Sequence, residues 1–145
     1  MLPSELTQTA LNTVLIVDDD YEIRDVLSDV LESWGYGTLC ASDGQVALNI
    51  LKQTTPGLIL LDLMMPGASG ADFLATRSQS EFLMTIPVIM MSANFDQLQR
   101  EYYSYDRVGK PFDLNRLQDL ISRRIGRPST AVASCVLPVG RLSHT

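Results

Sequence analysis

The sequence predicts an α/β fold in which helices cover both faces of a mostly parallel β-sheet. Short apolar runs alternate with amphipathic segments five times along the chain, a pattern typical of βαβ units. Proline and glycine residues punctuate these segments, as expected where strands and helices connect. With 145 residues, of which 46% are hydrophobic and 19% charged, the chain can bury a core in one domain, which excludes a disordered protein.

The first half of the chain contains three predicted strands and two predicted helices. The β-branched run at 13–17 and the run LILL at 58–61 are typical of strands buried on both faces. Apolar residues recur at helical spacing over 23–34, and Gly35 follows as a stop signal. The other predicted elements are a strand at 36–40 and a helix at 43–53, which Pro56 and Gly57 separate from the third strand.

The second half continues the alternation. A helix is predicted over 71–82, and the run VIMM at 88–91 predicts a fourth strand. A weaker helical pattern at 94–104 precedes a short fifth strand at 106–109. A last helix is predicted with Asp113 as its N-cap and with an apolar face made of Leu114, Leu117, Leu120, Ile121 and Ile125.

Charge and composition narrow the function further. The net charge of −6 argues against a nucleic-acid-binding protein. Cys40 and Cys135 show no ligand spacing and are interpreted as free thiols. Because the chain has a single histidine, His144, a zinc site or a Ser-His-Asp triad is improbable.

No apolar run approaches the roughly 18 residues of a membrane span, and the first residues do not resemble a secretory signal. We therefore expect no membrane association and a cytoplasmic protein.

Polar residues follow four of the five predicted strands. Asp18, Asp19 and Asp20 follow the first strand, and Asp62 ends the third. At the later strands the corresponding residues are Ser92 and Lys110. The carboxyl ends of parallel strands lie on the same side of a sheet, so we expect these side chains to meet at one edge. Ligands bind outside the carboxyl ends of the strands in such sheets. Individually each has a simpler interpretation, as a helix cap, a turn residue or a surface lysine, and Asp20 in particular fits a cap.

The expected cluster has a definite chemistry. Carboxylates placed close together repel one another by several kcal/mol, so the cluster requires cations. Asp18, Asp19 and Asp62 carry three negative charges, which a divalent ion and the Lys110 ammonium would neutralise. Mg²⁺ is the natural ion for oxygen ligands. A metal, a lysine and a hydroxyl around one carboxylate suit phosphoryl transfer, with Asp62 as the nucleophile and Ser92 contacting a phosphoryl oxygen.

Four motifs taken in order identify a family. The segments VLIVDDD, LILLDLMMPGASG, PVIMMSA and GKPF closely resemble the receiver domain of bacterial two-component response regulators over residues 12–125. The resemblance implies a doubly wound, flavodoxin-like, three-layer fold with five helices and a five-stranded sheet in the order 2-1-3-4-5. Residues 126–145 differ in character, with no acidic residue and no helical period, and are predicted to be a tail or linker.

The resemblance also assigns roles to individual residues. It implies Asp62 as the phosphoacceptor, Asp18 and Asp19 as the acidic pair that binds Mg²⁺ together with Asp62, and the backbone carbonyl of Met64 as a further ligand. The resemblance implies that the Ser92 side chain is the hydroxyl that takes part in the conformational switch. Lys110, expected before a cis peptide bond to Pro111, becomes the phosphate-contacting lysine. The implied partners are a sensor histidine kinase or a histidine phosphotransfer protein, and a downstream output protein or an output domain. Homodimerisation is left open.

Two departures from the family pattern concern the region before Lys110. Only 17 residues separate Ser92 from Lys110, which puts the helix predicted at 94–104 in doubt. Arg107 stands where relatives tend to carry an aromatic switch residue, and Tyr105 lies two positions earlier. We therefore do not expect this chain to share the family's coupling between the switch hydroxyl, here Ser92, and the rotamer of an aromatic side chain. For Met64, Met65, Met90 and Met91 we predict packing in the core or at its rim.

Two other functions compete with a phosphorylated switch. The first is a receiver used only as a binding module, without phosphorylation. The second is a haloacid-dehalogenase-type phosphatase, which this chain resembles in Asp18-x-Asp20, Ser92 and Lys110. That second interpretation leaves Asp62 and its Pro-Gly loop without a role. Enzymatic turnover of an external substrate is not expected; the predicted chemistry is the phosphorylation and dephosphorylation of Asp62 itself.

Overall fold

Five parallel strands form one sheet in the order β2-β1-β3-β4-β5, which confirms the predicted strand order. The computed structural model describes residues 11–65, 70–93, 95, 102 and 104–128. The strands are β1 (Thr13–Val17), β2 (Gly37–Ala41), β3 (Leu58–Asp62), β4 (Val88–Ser92) and β5 (Asp106–Gly109). The helices described are α1 (Tyr21–Ser33), α2 (Gly44–Leu51), α3 (Gly70–Arg77), α4 (Glu81–Met84) and α5 (Leu114–Ile125).

Both faces of the sheet are covered, which explains why the strands are apolar along their whole length. Successive side chains of a strand point to opposite faces, so Val14 and Ile16 belong to one core cluster and Leu15 and Val17 to the other. Each fully buried aliphatic side chain contributes about 1.5–3 kcal/mol. The first cluster includes Leu27 and Leu31 of α1 and Leu117, Leu120 and Ile121 of α5; the second includes Ala47 of α2 and Phe73 and Leu74 of α3.

The single helix predicted over 71–82 is wrong, because the chain forms two helices there. α3 ends at Arg77, and Ser80 begins α4 by accepting a hydrogen bond from the Leu83 N–H at 3.1 Å. The buried Arg77 side chain donates to the Ile86 carbonyl at 2.7 Å and so holds the chain that follows α4 against the end of α3. Apolar spacing alone did not predict this turn, because it depends on these polar contacts.

The remaining elements agree with the prediction to within a few residues, with one exception among the methionines. Met65, Met90 and Met91 are buried as predicted, but Met64 is 71% exposed, so the packing predicted for its side chain is wrong. Asp113 caps α5 as predicted, accepting hydrogen bonds from two backbone N–H groups. The helix predicted at 94–104, Cys135 and most of the predicted tail lie largely or wholly outside the described residues. None of the described helices has the length and apolarity needed to cross a bilayer.

Gly57 is required by close backbone approach at the start of β3. A Cβ atom built at this position overlaps the carbonyl oxygen of Leu11. We therefore predict that Gly57→Ala lowers the free energy of unfolding by about 1–3 kcal/mol, as overpacking typically does, measured by urea denaturation. Gly109→Ala is the matched control, because the nearest atom to its added Cβ is 4.0 Å away. Equal stability of the two variants would contradict the steric explanation.

Candidate functional site

The carboxyl ends of β1, β3, β4 and β5 meet around one cleft of about 540 Å³. Asp18 directly follows β1, Asp62 and Ser92 end β3 and β4, and Lys110 directly follows β5. The backbone fixes these positions: the Asp18 N–H donates to the Ala41 carbonyl at 3.1 Å, and the Lys110 N–H donates to the Ser92 carbonyl at 2.9 Å. The cleft is lined by Asp18, Asp19, Asp20, Ile23, Asp62, Leu63, Met64, Ser92, Ala93 and Lys110; we call it the acidic cleft.

One ammonium group joins two buried carboxylates. Nζ of Lys110 lies 2.8 Å from Oδ2 of Asp18 and 3.4 Å from Oδ2 of Asp62. The side chain of Asp18 is fully buried and that of Asp62 is 5% exposed. Because a buried charge without a partner is strongly destabilising, this lysine is a requirement for placing both acids at the edge of the core. The predicted cis peptide bond between Lys110 and Pro111 is present.

Backbone N–H groups orient both carboxylates. Oδ1 of Asp62 accepts a hydrogen bond from the Met64 N–H at 3.0 Å, and Oδ1 of Asp18 accepts one from the Asp20 N–H at 2.9 Å. Asp20 itself accepts from the Glu22 N–H and is the N-cap of α1, as its simpler interpretation predicts. Because Oδ1 of Asp18 and of Asp62 accepts a backbone N–H, Oδ2 of each acid faces Lys110.

The electrostatics of the site leave it short of positive charge. Burial raises the pKa of Asp62 above its ordinary value, and the Asp18 carboxylate adds to this effect; the Met64 N–H and the Lys110 ammonium oppose it without cancelling it. Burial works to lower the pKa of Lys110, but the hydrogen bond to Asp18 and the nearby carboxylates outweigh burial and raise it. Lys110 therefore stays protonated at neutral pH.

The acidic cleft has the donor set of a divalent-cation site. Carboxylate oxygens of Asp18, Asp19 and Asp62 all lie within 4.8 Å of one another. Asp19 is exposed while the other two are buried. Three ionised carboxylates and one ammonium leave two negative charges, the number that a divalent cation neutralises. Hard oxygen ligands of this kind suit Mg²⁺, so these residues fit the expected metal.

The structure brings together every residue that sequence analysis placed at the site. Ser92 is 1% exposed and lies in the acidic cleft with Lys110, and Met64 lies at its rim. Arg24 was not predicted: its Nη1 donates to the Asp18 carbonyl at 2.7 Å and so braces the loop after β1. Its signal in the sequence is that it is the single basic residue among the nine acids of residues 1–45. Arg107 lies beside the Phe95 ring, 5.9 Å from its centroid.

Comparison with known proteins gives a consistent result. The family model for the response regulator receiver domain matches residues 14–122. The chain is 31% identical over 112 residues to sporulation initiation phosphotransferase F of Bacillus subtilis, covering 76% of this chain and 90% of that protein. It is 32% identical over 134 residues to the phosphate regulon transcriptional regulatory protein PhoB of Pseudomonas aeruginosa, covering 90% of this chain but only 58% of that longer protein.

Solved structures share both the fold and part of the sequence. The receiver domain of a sensor histidine kinase from Pseudomonas aeruginosa, with a magnesium ion coordinated in its active-site cleft, superposes with a TM-score of 0.72 at 28% identity, covering 79% of this chain and 97% of that one. The receiver domain of a signal transduction histidine kinase from Syntrophus aciditrophicus gives a TM-score of 0.72 at 29% identity, with coverages of 78% and 89%.

The raised pKa of Asp62 predicts that its ionised carboxylate destabilises the metal-free fold. Asp62→Asn should therefore increase the free energy of unfolding at pH 7 in buffer without divalent cations. An acid with a raised pKa costs stability only where it is ionised, so this gain should shrink as pH falls through the pKa of folded Asp62. Urea denaturation with EDTA at several pH values measures it.

The control for this prediction is Asp25→Asn, which removes an exposed carboxylate from α1. It should change stability by only a few tenths of a kcal/mol, as surface substitutions usually do. A loss of stability in Asp62→Asn at neutral pH, or a gain that grows toward acidic pH, would contradict the stated electrostatics of Asp62.

Proposed function

This chain belongs to the response regulator receiver domain family, and from that membership we propose that Asp62 accepts a phosphoryl group from a histidine kinase or a histidine phosphotransfer protein. The observation that supports this role most directly is the setting of the Asp62 carboxylate. It is nearly buried at the end of β3, 3.4 Å from the Lys110 ammonium and within 4.8 Å of carboxylate oxygens of Asp18 and Asp19. The acidic cleft therefore fits a phosphoacceptor site.

The proposed reaction moves a phosphoryl group from a histidine nitrogen to an aspartate oxygen. An ionised Asp62 oxygen forms the new O–P bond while the N–P bond of the donor breaks. The electron pair of the broken bond returns to the imidazole nitrogen, which takes up a proton from solvent. The products are an aspartyl phosphate and a neutral histidine. Lys110, paired with Asp62 before transfer, can then contact a phosphoryl oxygen and stabilise its charge.

We propose that the acidic cleft holds Mg²⁺ during this reaction. Asp18, Asp19 and Asp62 supply carboxylate oxygens, and the backbone carbonyl of Met64 is the fourth proposed protein ligand. When bound, the ion would stabilise the negative charge on the transferring phosphoryl oxygens. An opposite charge beside Asp62 also lowers the pKa of that carboxyl, which favours the ionised nucleophile over the protonated form that burial favours in its absence.

The proposed consequence of phosphorylation is a shift between two conformations. A phosphoryl group adds roughly −1.5 to −2 charge beside Lys110 and the Ser92 hydroxyl. We propose that Ser92 donates a hydrogen bond to a phosphoryl oxygen. The Ser92 carbonyl already accepts the Lys110 N–H, so a change at Ser92 reaches the start of the loop after β5 through one hydrogen bond. A phosphoryl group that makes these contacts in one conformation and not in the other shifts the equilibrium toward the first conformation.

Partners and domain limits are part of the same proposal. We assign residues 12–125 to the receiver domain and 126–145 to a tail or linker. The chain spans 58% of the PhoB regulator that it matches, so an output domain or a separate output protein is proposed to receive the signal. Because a histidine kinase uses ATP to phosphorylate itself, we propose that the protein works in the cytoplasm, and that its own chemistry is confined to Asp62.

The alternative functions have less support. A haloacid-dehalogenase-type phosphatase would use Asp18 as the nucleophile and would leave Asp62 without a chemical role, and the family match is to receivers over residues 14–122. A receiver that only binds partners differs by failing to accept a phosphoryl group. The labelling experiment below separates the three functions.

Asp62→Asn is predicted to abolish phosphorylation. The wild-type protein incubated with acetyl phosphate and Mg²⁺ should gain the mass of one phosphoryl group, measured by intact-protein mass spectrometry. The variant should gain none, because a side-chain amide cannot replace the carboxylate nucleophile. Asp25→Asn, on the exposed face of α1, is the control and should label like the wild type. Persistent labelling of Asp62→Asn identifies a different nucleophile. Absence of labelling in the wild type supports the binding-module alternative.

Asp19→Asn is predicted to weaken Mg²⁺ binding by about tenfold or more, the scale on which metal sites lose affinity when a ligand shell is altered. Asp20→Asn is the matched neighbour: Asp20 is absent from the group of three acids, and Asn is an equally good N-cap. Isothermal titration calorimetry of both variants measures the difference. Equal affinities in the two variants would remove Asp19 from the proposed ligand set.

A further inference from the structure

A second cleft, of about 510 Å³, lies at the opposite edge of the sheet. Its walls include Val88 at the start of β4 and Asp106 at the start of β5, whereas the acidic cleft lies where the strands end. Arg77 and Arg124 also line this second cleft, which we call the arginine cleft. The proposed phosphoryl chemistry uses none of its residues.

Arg77 is a buried cation that forms no ion pair with any of the described residues. The residue is 5% exposed. Its Nη2 donates to the carbonyls of Ile86 and Met84 at 2.7 and 3.4 Å, and its Nη1 donates to the Tyr105 hydroxyl at 3.1 Å and to the Met84 sulfur at 3.4 Å. Its Nε is buried and has no hydrogen-bond partner. Buried charges are normally paired, so this guanidinium lacks a counter-ion.

Two further groups give the arginine cleft capacity for an anion. Arg124 directs both Nε and Nη2 at the same oxygen of Asp106, each at 2.9 Å, so its charge is shared with one carboxylate. The Tyr105 hydroxyl accepts a bond from Arg77, which leaves its own proton to be donated. The residues that line the cleft include two arginines and one aspartate, so they carry one net positive charge.

We propose that the arginine cleft binds a small organic oxyanion through Arg77, Arg124 and Tyr105. Guanidinium groups match the geometry of both phosphate and carboxylate oxygens. The cleft volume is many times the ~30 Å³ of one water molecule, so it has room for an organic body beside the charged group. Met84, Pro87 and Val88 supply an apolar wall for that body.

A purely structural role for Arg77 explains only part of this arrangement. Its hydrogen bonds to the Met84 and Ile86 carbonyls fix the segment after α4, as described above. That role uses the two Nη groups. It does not explain why this buried cation has no counter-ion among the described residues, or why a second arginine lines the same cleft. An anion in the cleft would offset the uncompensated charge of Arg77.

The test follows the side-chain Nε–H resonances of Arg77 and Arg124 by NMR. Asp62→Asn protein in Mg²⁺-free buffer is titrated separately with inorganic phosphate, succinate, adenosine monophosphate and sodium chloride. Because this variant lacks the proposed phosphoacceptor, the result does not depend on the proposed function. Saturable shifts of both resonances with phosphate or succinate, and tighter binding of adenosine monophosphate than of phosphate, are expected. Shifts that merely follow ionic strength and are equal with chloride would overturn the proposal.

A pair of neighbouring arginines supplies the matched control. Arg124→Gln should weaken phosphate binding by about tenfold, the effect of losing a hydrogen bond to a charged group. Arg123→Gln should leave it unchanged, because Arg123 lies on the same helix, is 69% exposed, pairs with Asp119 and does not line the cleft. Neither substitution alters the Arg77 hydrogen bonds that fix the fold. Equal weakening in both variants would show a nonspecific charge effect and would refute the site.

Discussion

The structure depends on one lysine that is shared by two buried carboxylates. Lys110 contacts Asp18 at 2.8 Å and Asp62 at 3.4 Å, and neither acid is appreciably exposed to solvent. Removing Lys110 would leave two buried carboxylates without their shared cation, and an uncompensated buried charge typically costs about 3–5 kcal/mol, so the three residues form a unit around this lysine. With Asp19 added, the unit keeps an excess of two negative charges. The site is thus stable enough to fold and still short of the charge that a divalent ion supplies.

Sheet topology is what brings this unit together. Asp18, Asp62 and Lys110 are distant along the chain, but each stands at the carboxyl end of a strand in one parallel sheet. The apolar strands, covered on both faces, set the position of each end within the core. Polar function is therefore confined to the edges of the sheet, with the acidic cleft at one edge and the arginine cleft at the other.

The strands and the acidic cleft were predictable from sequence because their signals are local and their convergence follows from the parallel topology. A buried strand is a continuous apolar run, and Asp62 interrupts one abruptly. Arg77 was not predictable in the same way: an arginine inside an amphipathic pattern indicates an exposed position, and its burial depends on the Ile86 carbonyl and the Tyr105 hydroxyl. The prediction for the Met64 side chain is wrong for a related reason. The hydrophobicity of a methionine does not show that the loop after β3 turns this side chain outward.

We propose that a divalent ion and the Lys110 ammonium jointly neutralise the carboxylates around Asp62. A crystal structure with Mn²⁺, located by its anomalous scattering, tests this most directly. We expect one ion bound directly to Asp62 and to at least one of Asp18 and Asp19, with Lys110 still contacting a carboxylate on the other side. An acidic cleft without anomalous density at saturating Mn²⁺, or an ion bound away from Asp62, would contradict it.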